Sequence, residues 1–344
     1  MKSKSWLTKI MYFINIIVVI ITIMAYTLPF FAPKAFPVLS VFTLFLPFFL
    51  ILNFLFFAYW LLQFKKYFFI SGLILLIGIT FINRFYRFAD DVLPKEPLDF
   101  TIMSYNVRLF NIYEWLPKKD VALQISNFIK EKNADILCLQ EYAPNEEVNT
   151  EDYKYSYIKL YGNKNKYGQA IFSKYKIINR GEVAFANSSN NVIFADVVLQ
   201  EDTVRIYSMH LQSIKISTDI HEEIDSEKSK FLLTRIGKAF AMQQQQAEVL
   251  KEHYSKVQYS KIICGDLNNS AFSYVYRTVK GNMQDAFAEA GKGFGKTYHF
   301  KNYPARIDYI FADKTLLVKS FASYDTFYQS DHFPIFSRLA FLKN

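Results

Sequence analysis

The sequence predicts a layered α/β domain preceded by an all-helical membrane region. Two observations lead to this division. Residues 1–89 contain no Asp or Glu and hold three long apolar stretches, whereas short apolar strands alternate with amphipathic helices from Asp99 onward. Strands that alternate with helices favour a layered α/β architecture, and 344 residues are enough for two domains. We therefore assign residues 1–83 to a membrane anchor, 84–98 to a linker and 99–344 to a folded domain.

Three apolar stretches, at residues 10–31, 38–64 and 67–83, each approach the roughly 20 residues that a membrane-spanning helix needs. The second contains Pro47, which predicts a kink or a tilt, and the third is the shortest. A cleaved signal peptide is the alternative interpretation of the first stretch. We reject it because the apolar run is too long, no small-residue cleavage site follows, and two further apolar stretches come directly after it.

The formal net charge of +9 suggests nucleic-acid binding, but the distribution of the charge weakens that interpretation. Residues 1–98 hold nine Lys or Arg and three acidic residues, so residues 99–344 keep a net charge of only +3. Basic residues beside apolar segments set the orientation of a membrane protein. Five are expected on the cytoplasmic side and three on the other: Lys2, Lys4, Lys9, Lys65 and Lys66 against Lys34, Arg84 and Arg87. With three spans, this bias predicts that residues 99–344 lie outside the cytoplasm.

Polar residues stand at the ends of most predicted strands of the folded domain. Eight of them follow or begin short runs rich in Ile, Val, Tyr and Phe: Asn106, Glu141, His210, Asp266, Asn268, Asp308, Asp331 and His332. Amphipathic segments at 120–133 and 228–254 are predicted to be helices that lie between the strands. Since folds of this kind build their sites from residues at strand ends, these side chains are candidates for one functional site.

Each of these residues also has a purely structural interpretation. A Glu or Asn after a strand is most often a solvated or turn-forming residue, and a single His more often belongs to a core. The order Asn, Glu, His, Asp-x-Asn, Asp and Asp-His is hard to reach by chance when every member closes an apolar run. The combination therefore favours a functional site.

Residues 99–344 resemble the endonuclease/exonuclease/phosphatase family, above all in GDLN (265–268) and SDH (330–332). The segments YGQAIFSKYKI (167–177) and MQDAFAEAGKGFGKTYHF (283–300) agree with this resemblance. It implies a four-layer α/β/β/α sandwich of two packed mixed sheets flanked by helices. It also implies hydrolysis of phosphate esters, since the family includes deoxyribonucleases, apurinic endonucleases, neutral sphingomyelinases and inositol polyphosphate 5-phosphatases. Some bacterial membrane-bound members look similar, so a bacterial inner membrane is the expected location.

The resemblance also implies roles for the carboxylate and amide residues. Glu141 and Asp331, with Asn106 close by, are expected to bind one Mg²⁺ or Mn²⁺ ion, because these ions prefer hard oxygen ligands. Asp266 is expected to orient or deprotonate the attacking water. Asn268 is expected to hold both Asp266 and the phosphate.

The two histidines have separate roles in the same scheme. His332 is expected to contact the phosphate, while Asp308 holds its ring and favours the charged form. His210 is expected to donate to a phosphoryl oxygen from the other side. Four residues therefore form the expected phosphate-binding set: Asn106, His210, Asn268 and His332.

Three features qualify the resemblance. Arg108 stands where apurinic endonucleases carry a metal-binding aspartate, which puts a second metal site in doubt. Gln169 stands about where deoxyribonucleases carry a glutamate that supports the first histidine, so His210 is expected to stay neutral more often. AGKGFGKT (290–297) is close to a phosphate-binding loop, but Ala290 replaces the first required Gly and the predicted order of helix and strand is reversed. We interpret that segment as a connection.

The leading functional hypothesis is a membrane-anchored, metal-dependent phosphoesterase with nuclease-like action on phosphodiesters or phosphomonoesters. A lipid-directed phosphodiesterase, similar to sphingomyelinases or phosphoinositide phosphatases, is the first alternative. An inactive module that binds a phosphate ligand is the second, and a structural membrane protein with an adhesive domain is the third. The expected partners are a phosphate-ester substrate (nucleic acid or a lipid head group) and the lipid bilayer, which residues 1–83 would contact. No protein partner is inferred.

Overall fold

The computed structural model describes residues 6–88, 92–162, 166–186, 188–214, 226–300 and 303–342. Its helices are α1 (Trp6–Thr27), α2 (Pro37–Ser40), α3 (Leu46–Leu62), α4 (Phe68–Phe85), α5 (Val121–Lys132), α6 (Ser226–Ser255), α7 (Tyr274–Lys280) and α8 (Ala286–Ala290). Its strands are β1 (Phe100–Asn106), β2 (Ile136–Tyr142), β3 (Tyr155–Tyr161), β4 (Tyr167–Ser173), β5 (Ile177–Ala184), β6 (Asn191–Leu199), β7 (Asp202–His210), β8 (Ser260–Asp266), β9 (Gln284–Asp285), β10 (Asp308–Ala312), β11 (Leu316–Ser323) and β12 (Ile335–Phe341). The two amphipathic segments predicted to be helices correspond to α5 and α6.

Three helical stretches are long and apolar enough to cross a membrane: Trp6–Phe30, Pro37–Leu62 and Phe68–Phe85. They match the three predicted spans to within a few residues at most ends. Pro47 lies in the first turn of α3, after a 3-10 turn at Val41–Phe45. A proline in that position starts a helix without losing a hydrogen bond, so the irregularity predicted for the second stretch precedes the proline.

Buried polar side chains join the three long helices to one another. Asn15 donates to Ser71 Oγ at 2.8 Å and accepts from the indole N–H of Trp60 at 2.9 Å. Asn53 donates to Thr22 Oγ1 at 2.8 Å. Amide and hydroxyl groups in an apolar bundle are satisfied best by one another, so these bonds help to set how the helices pack.

The twelve strands form two six-stranded sheets. Their strand orders are β11-β12-β1-β2-β4-β3 and β5-β6-β7-β8-β10-β9. β1 pairs with β2 and β7 with β8 in the parallel sense, whereas the other neighbours are antiparallel. Both sheets are therefore mixed.

The sheets pack face to face and helices cover their outer faces. Ile102 of the first sheet and Ile262 of the second belong to one buried cluster between them. Ile125 of α5 packs on the outer face of the first sheet, and Leu250 of α6 with Val275 of α7 packs on the outer face of the second. This confirms the expected four-layer α/β/β/α sandwich.

The sandwich domain lies directly against the three long apolar helices. Phe272, in the loop before α7, packs in a cluster with Tyr26, Leu46 and Ile74 of the three long helices. Arg306 is buried, forms an ion pair with Asp285 and donates to the carbonyl oxygen of Arg84 in the last turn of α4. A cation at a helix C-terminus is favourable, so Arg306 ties the end of the third long helix to the domain.

The described part of the predicted linker lies along the domain. Arg87 and Gly293 exchange two backbone hydrogen bonds of 2.9 Å, and Leu93 N donates to Lys319 O at 2.9 Å. Gly293 belongs to the AGKGFGKT segment, which follows α8 and forms a connection, as the sequence predicts.

Candidate active site

The eight candidate residues meet at one end of the sandwich, where strands of both sheets terminate. In the second sheet, Asp266 is paired in register with His210 of β7 and with Asp308 of β10, so three candidates stand on adjacent strands. In the first sheet, Asn106 ends β1 and is in register with Gln140, the residue before Glu141. Asp331 and His332 come just before β12, the neighbour of β1.

Asn106 connects the two sheets at the centre of the site. Its amide Nδ2 lies 3.2 Å from Glu141 Oε1 and 3.2 Å from Asp266 Oδ2. Its Oδ1 accepts from the backbone N–H of Arg108 at 3.1 Å. The side chain is buried, so the orientation of its amide is determined by these three contacts.

An irregularity in β2 determines the direction of the Glu141 side chain. The pairing of β2 with β4 shifts register between Gln140 and Tyr142, and Glu141 between them has a φ of 48°. A bulge of this kind redirects one side chain, and a left-handed backbone at a non-glycine residue is uncommon outside functional sites and turns. The Glu141 side chain keeps partial contact with solvent, with 28% of it exposed.

His332 and Asp308 form a buried pair. Asp308 Oδ2 and Oδ1 lie 3.0 and 3.2 Å from His332 Nδ1, and His332 Nε2 lies 3.6 Å from Asp266 Oδ2. Burial by itself would lower the pKa of His332, but the charges of Asp308 and Asp266 outweigh it and raise the pKa to about 10. The imidazole is therefore charged at neutral pH.

Asp266 is held by the loop that follows it. Its Oδ1 accepts from Asn268 N at 2.8 Å and its Oδ2 from Asn268 Nδ2 at 3.0 Å. Burial raises the pKa of Asp266 to about 8, against the opposing charge of His332, while the charges of Asp308 and Glu141 add to the rise. Such a carboxyl group holds a proton strongly, and it can act as a base in the ionised fraction of the molecules, which grows as pH rises toward 8.

His210 faces the same point from the second sheet. Its Nε2 lies 3.6 Å from Glu141 Oε1 and 3.8 Å from Asp266 Oδ2, and it has no hydrogen-bond partner within the described part of the chain. Burial lowers the pKa of His210, which agrees with the expectation that the ring is neutral more often. Gln169 donates to Asn191 and accepts from Ser208, so both ends of its amide are bonded to residues other than His210.

Arg108 occupies the place next to Asp331. Its guanidinium lies 3.2 Å from Asp331 Oδ2 and 4.2 Å from the centre of the Trp115 ring. The turn that carries it, Arg108–Asn111, has positive φ angles throughout. From the sequence, Arg108 is only a departure from the pattern of apurinic endonucleases. Its position two residues after Asn106 was the one available signal that it belongs to the site.

Two further residues of the site were not predicted. Thr297, inside the AGKGFGKT segment, accepts from the backbone N–H groups of Ile307 and Asp308 at 3.0 Å each. The ring of Tyr298 packs edge-on against His332, with 4.9 Å between ring centres. Both residues support the His332–Asp308 pair, and neither has a sequence pattern that indicates it.

A cavity of about 310 Å³ lies beside the catalytic edge of the first sheet. Its walls are aliphatic and aromatic with one basic side chain: Leu109, Ile112, Tyr113, Ala143, Pro144, Lys166 and Tyr167. Leu109 and Ala143 are close in the chain to Arg108 and Glu141, so the cavity is next to the site.

Glu141 and Asp331 have the donor chemistry that a hard divalent cation prefers. Glu141 and Asp331 offer carboxylate oxygens that reach solvent, and the orphaned Nε2 of His210 faces an oxygen-rich space. A second group, Asp266, Asp308 and His332, also places possible ligand atoms within 4.8 Å of one another. In that group His332 is charged and bonded to Asp308, which disfavours a cation there.

Comparison with known proteins gives two family matches. A model described as the endonuclease/exonuclease/phosphatase family matches residues 103–332, and one described as a domain of unknown function matches residues 8–85. No curated protein matches the chain.

Solved structures share the fold at low sequence identity. A humanized TDP2 of D. rerio has 16% identity and a TM-score of 0.52, with 70% of this chain and 99% of that chain covered. The human Nocturnin catalytic domain with a bound sulfate anion has 18% identity and a TM-score of 0.51, with 75% and 98% covered. An endonuclease/exonuclease/phosphatase family protein from Bacteroides thetaiotaomicron has 17% identity and a TM-score of 0.51, with 72% and 100% covered.

Proposed function

The chain belongs to the endonuclease/exonuclease/phosphatase family, and we propose that it is a membrane-anchored, metal-dependent phosphoesterase that hydrolyses phosphodiester bonds in a nuclease-like manner. The observation that carries this proposal is the convergence of Asn106, His210, Asp266 and His332 on one buried point between the two sheets. In this proposal residues 1–83 are the anchor, 84–98 the linker and 99–344 the catalytic domain.

The two histidines bind the phosphate group in this scheme. Negative charge grows on the phosphoryl oxygens during hydrolysis, and donors already in position stabilise it. His332 is charged and held by Asp308, so its Nε2–H is a charge-assisted donor. His210 Nε2 has no partner within the described residues, and as the N–H tautomer it would donate from the opposite side.

Asp266 and Asn268 act on the attacking water. Asp266 accepts a proton from the water. The water oxygen then bonds to phosphorus, and the bond from phosphorus to the leaving oxygen breaks. The elevated pKa of Asp266 supports this role because a base works best when its pKa is near the operating pH. Asn268 holds both carboxylate oxygens, which limits the directions from which Asp266 can receive a proton.

Glu141 and Asp331, together with Asn106, would hold one Mg²⁺ or Mn²⁺ ion. When bound, the ion would supply Lewis-acid stabilisation of a phosphoryl oxygen. The guanidinium of Arg108 lies 3.2 Å from Asp331 Oδ2, so an ion bound by Asp331 would share this carboxylate with Arg108, and the positive charge of Arg108 disfavours a further ion beside it. We therefore propose a single metal site.

A lipid-directed phosphodiesterase is the second candidate, and one contact favours it. Phe272, three residues after Asn269 of the catalytic loop, packs among the membrane helices. The site is thereby held close to the bilayer surface, where a lipid head group is available. An inactive phosphate-binding module is less favoured because both the proposed base and the phosphate donors are present.

A substrate panel tests the proposal and separates its two forms. We expect the purified full-length protein with Mg²⁺ to cleave a nitrophenyl phosphodiester, and Asp266→Asn to lower the rate by at least about a hundredfold, as expected for a general base. Preference for DNA or RNA over sphingomyelin and phosphoinositide vesicles would support the nuclease-like form, and the reverse would support the lipid-directed form. An Asp266→Asn variant as active as the wild type would contradict the mechanism.

A further inference from the structure

Two residues of the run of four glutamines in α6, Gln243 and Gln246, form hydrogen bonds to segments beside the candidate active site. Gln243 is fully buried. Its Nε2 donates to the carbonyl oxygens of Gln212 at 2.7 Å and Asn268 at 3.0 Å, and its Oε1 accepts from Asn269 Nδ2 at 2.6 Å. The opposite amide orientation would place its oxygen against two carbonyl oxygens. The amide of Gln243 is therefore held in one orientation, and it forms hydrogen bonds with Asn268 and Asn269 of the loop that follows Asp266.

Gln246, one turn further along α6, holds the second catalytic segment. Its Oε1 accepts from Gln212 N at 2.8 Å, so the backbone of Gln212 is bonded to α6 on both sides. Gln212 follows His210 by two residues, and the intervening Leu211 O accepts from Asn268 Nδ2 at 3.0 Å. The ends of β7 and β8 are thus joined to each other and to one helix.

The same helix is bound to the membrane anchor. Gly237 lies so close to Pro37 that a Cβ at Gly237 would be 2.7 Å from the Pro37 carbonyl oxygen. Gln244 Oε1 accepts from Lys34 N at 2.8 Å, and Phe240 packs with Val41 near the start of the second span. Gly237 and Gln243 are six residues apart, or about 9 Å along the helix axis.

The catalytic loop needs such support because its backbone is not intrinsically stable. Asn268 has a φ of 53°, a left-handed conformation that is unfavourable for most L-residues, although Asn tolerates it better than most. Its carbonyl oxygen is buried with Gln243 as its bonded donor. Small displacements of positioned groups can cost about a hundredfold in rate.

We propose that Gln243 is a positioning residue for the catalytic loop 266–269, and that anchor segment 28–45 sets the position of α6 from which Gln243 reaches that loop. The anchor is then part of the catalytic framework as well as an attachment to the membrane. This inference rests on the proposed phosphoesterase function, since it assumes that Asp266 and Asn268 act on substrate.

The first test uses full-length protein in lipid nanodiscs, a soluble nitrophenyl phosphodiester and Mg²⁺. Gln243→Glu keeps the shape of the side chain but turns an oxygen toward two carbonyl oxygens, and Gln243→Met removes the polar atoms. We expect kcat per folded molecule to fall about tenfold to a hundredfold in both variants, with KM unchanged within about twofold. Gln245→Glu is the matched control, because Gln245 is exposed on the same helix, and it should equal the wild type.

The second test acts on the anchor contact without touching the catalytic loop. Gly237→Leu forces α6 away from Pro37. Because leucine is a better helix former than glycine, a lower kcat in this variant cannot be assigned to weaker helix formation. We expect kcat to fall at least about fivefold, because a shift of α6 would partly displace the catalytic loop 266–269. Lys238→Leu, at the exposed neighbouring position, should leave kcat unchanged.

The outcomes separate the two proposals. An inactive wild type, with the Gln245 control also inactive on every phosphoester, would contradict the proposed function itself. An active wild type with unchanged kcat in both Gln243 variants would overturn the positioning role. Unchanged kcat in Gly237→Leu, with reduced kcat in the Gln243 variants, would overturn the role of the anchor.

Discussion

The charge of His332 is favoured by buried carboxylates, the nearest of which belongs to Asp308 and lies 3.0 Å from its Nδ1. The ordinary pKa of a histidine is about 6.5, whereas Asp308 and Asp266 raise the pKa of this one to about 10. The wild-type ring is therefore charged throughout the range from pH 6 to 8. If the charged ring binds the phosphate, that interaction persists across this range.

We expect Asp308→Asn to reduce the rate of phosphodiester hydrolysis increasingly as pH rises from 6 to 8. The substitution removes the charge that favours the protonated ring while burial continues to oppose it, so the pKa of His332 falls and the neutral form appears at lower pH. The ratio of wild-type to variant rate, measured at half-unit pH steps on folded protein, tests this.

A double variant provides the control for this pair. Residues that act as a unit have non-additive effects, so Asp308→Asn combined with His332→Ala should be little slower than His332→Ala alone. A rate ratio that stays constant with pH, together with fully additive losses, would mean that Asp308 only supports the fold.

At the residue scale, sequence alone was enough to select the polar groups that meet in the site. Each candidate ended an apolar run, and the strand ends converge because the fold brings them to one edge. The place of Arg108 in the site and the orientation of the Glu141 side chain were harder to predict from the sequence. The first depends on a left-handed turn and the second on a register shift, and neither backbone feature leaves a pattern in residue type.

At the scale of elements, the three apolar stretches and the two amphipathic helices were predicted because their length and periodicity are strong signals. The contact between α6 and the segment 28–45 was not predicted. It joins residues about 200 positions apart, such as Lys34 and Gln244. Pro37 and Gly237, where the backbone approaches most closely, are ordinary residues in the sequence.

These contacts bear on membrane topology. Segment 28–45 and the end of α4 at Arg84 both touch the domain, so both belong on its side of a bilayer, as three spans require. Together with the excess of basic residues on the other side, this arrangement is compatible with the orientation expected from the sequence, in which the domain lies outside the cytoplasm of a bacterial inner membrane.

A pair of reporter fusions tests this topology. We expect a fusion after Asn344 to be active with a periplasmic reporter, and a fusion in the loop at Lys65–Lys66 to be active with a cytoplasmic one. A reporter at Asn344 that works only in the cytoplasm would contradict the proposed orientation.

At the scale of the whole molecule, the anchor and the domain form one packed unit through the bundle cluster around Phe272, the Arg306 bond to α4 and the linker hydrogen bonds. The sequence indicated the two parts but not their docking, because it depends on matching surfaces that no single segment encodes. The central claim is that this unit is a metal-dependent phosphoesterase.

The most direct test of that claim is the rate of phosphodiester hydrolysis by the full-length protein before chelation, after exhaustive chelation and after return of Mg²⁺ or Mn²⁺. We expect activity to disappear on chelation and to return with either ion, because Glu141 and Asp331 offer hard oxygen ligands. Glu141→Gln should require a higher ion concentration for half-maximal rate. Full activity in the chelated protein would contradict the account.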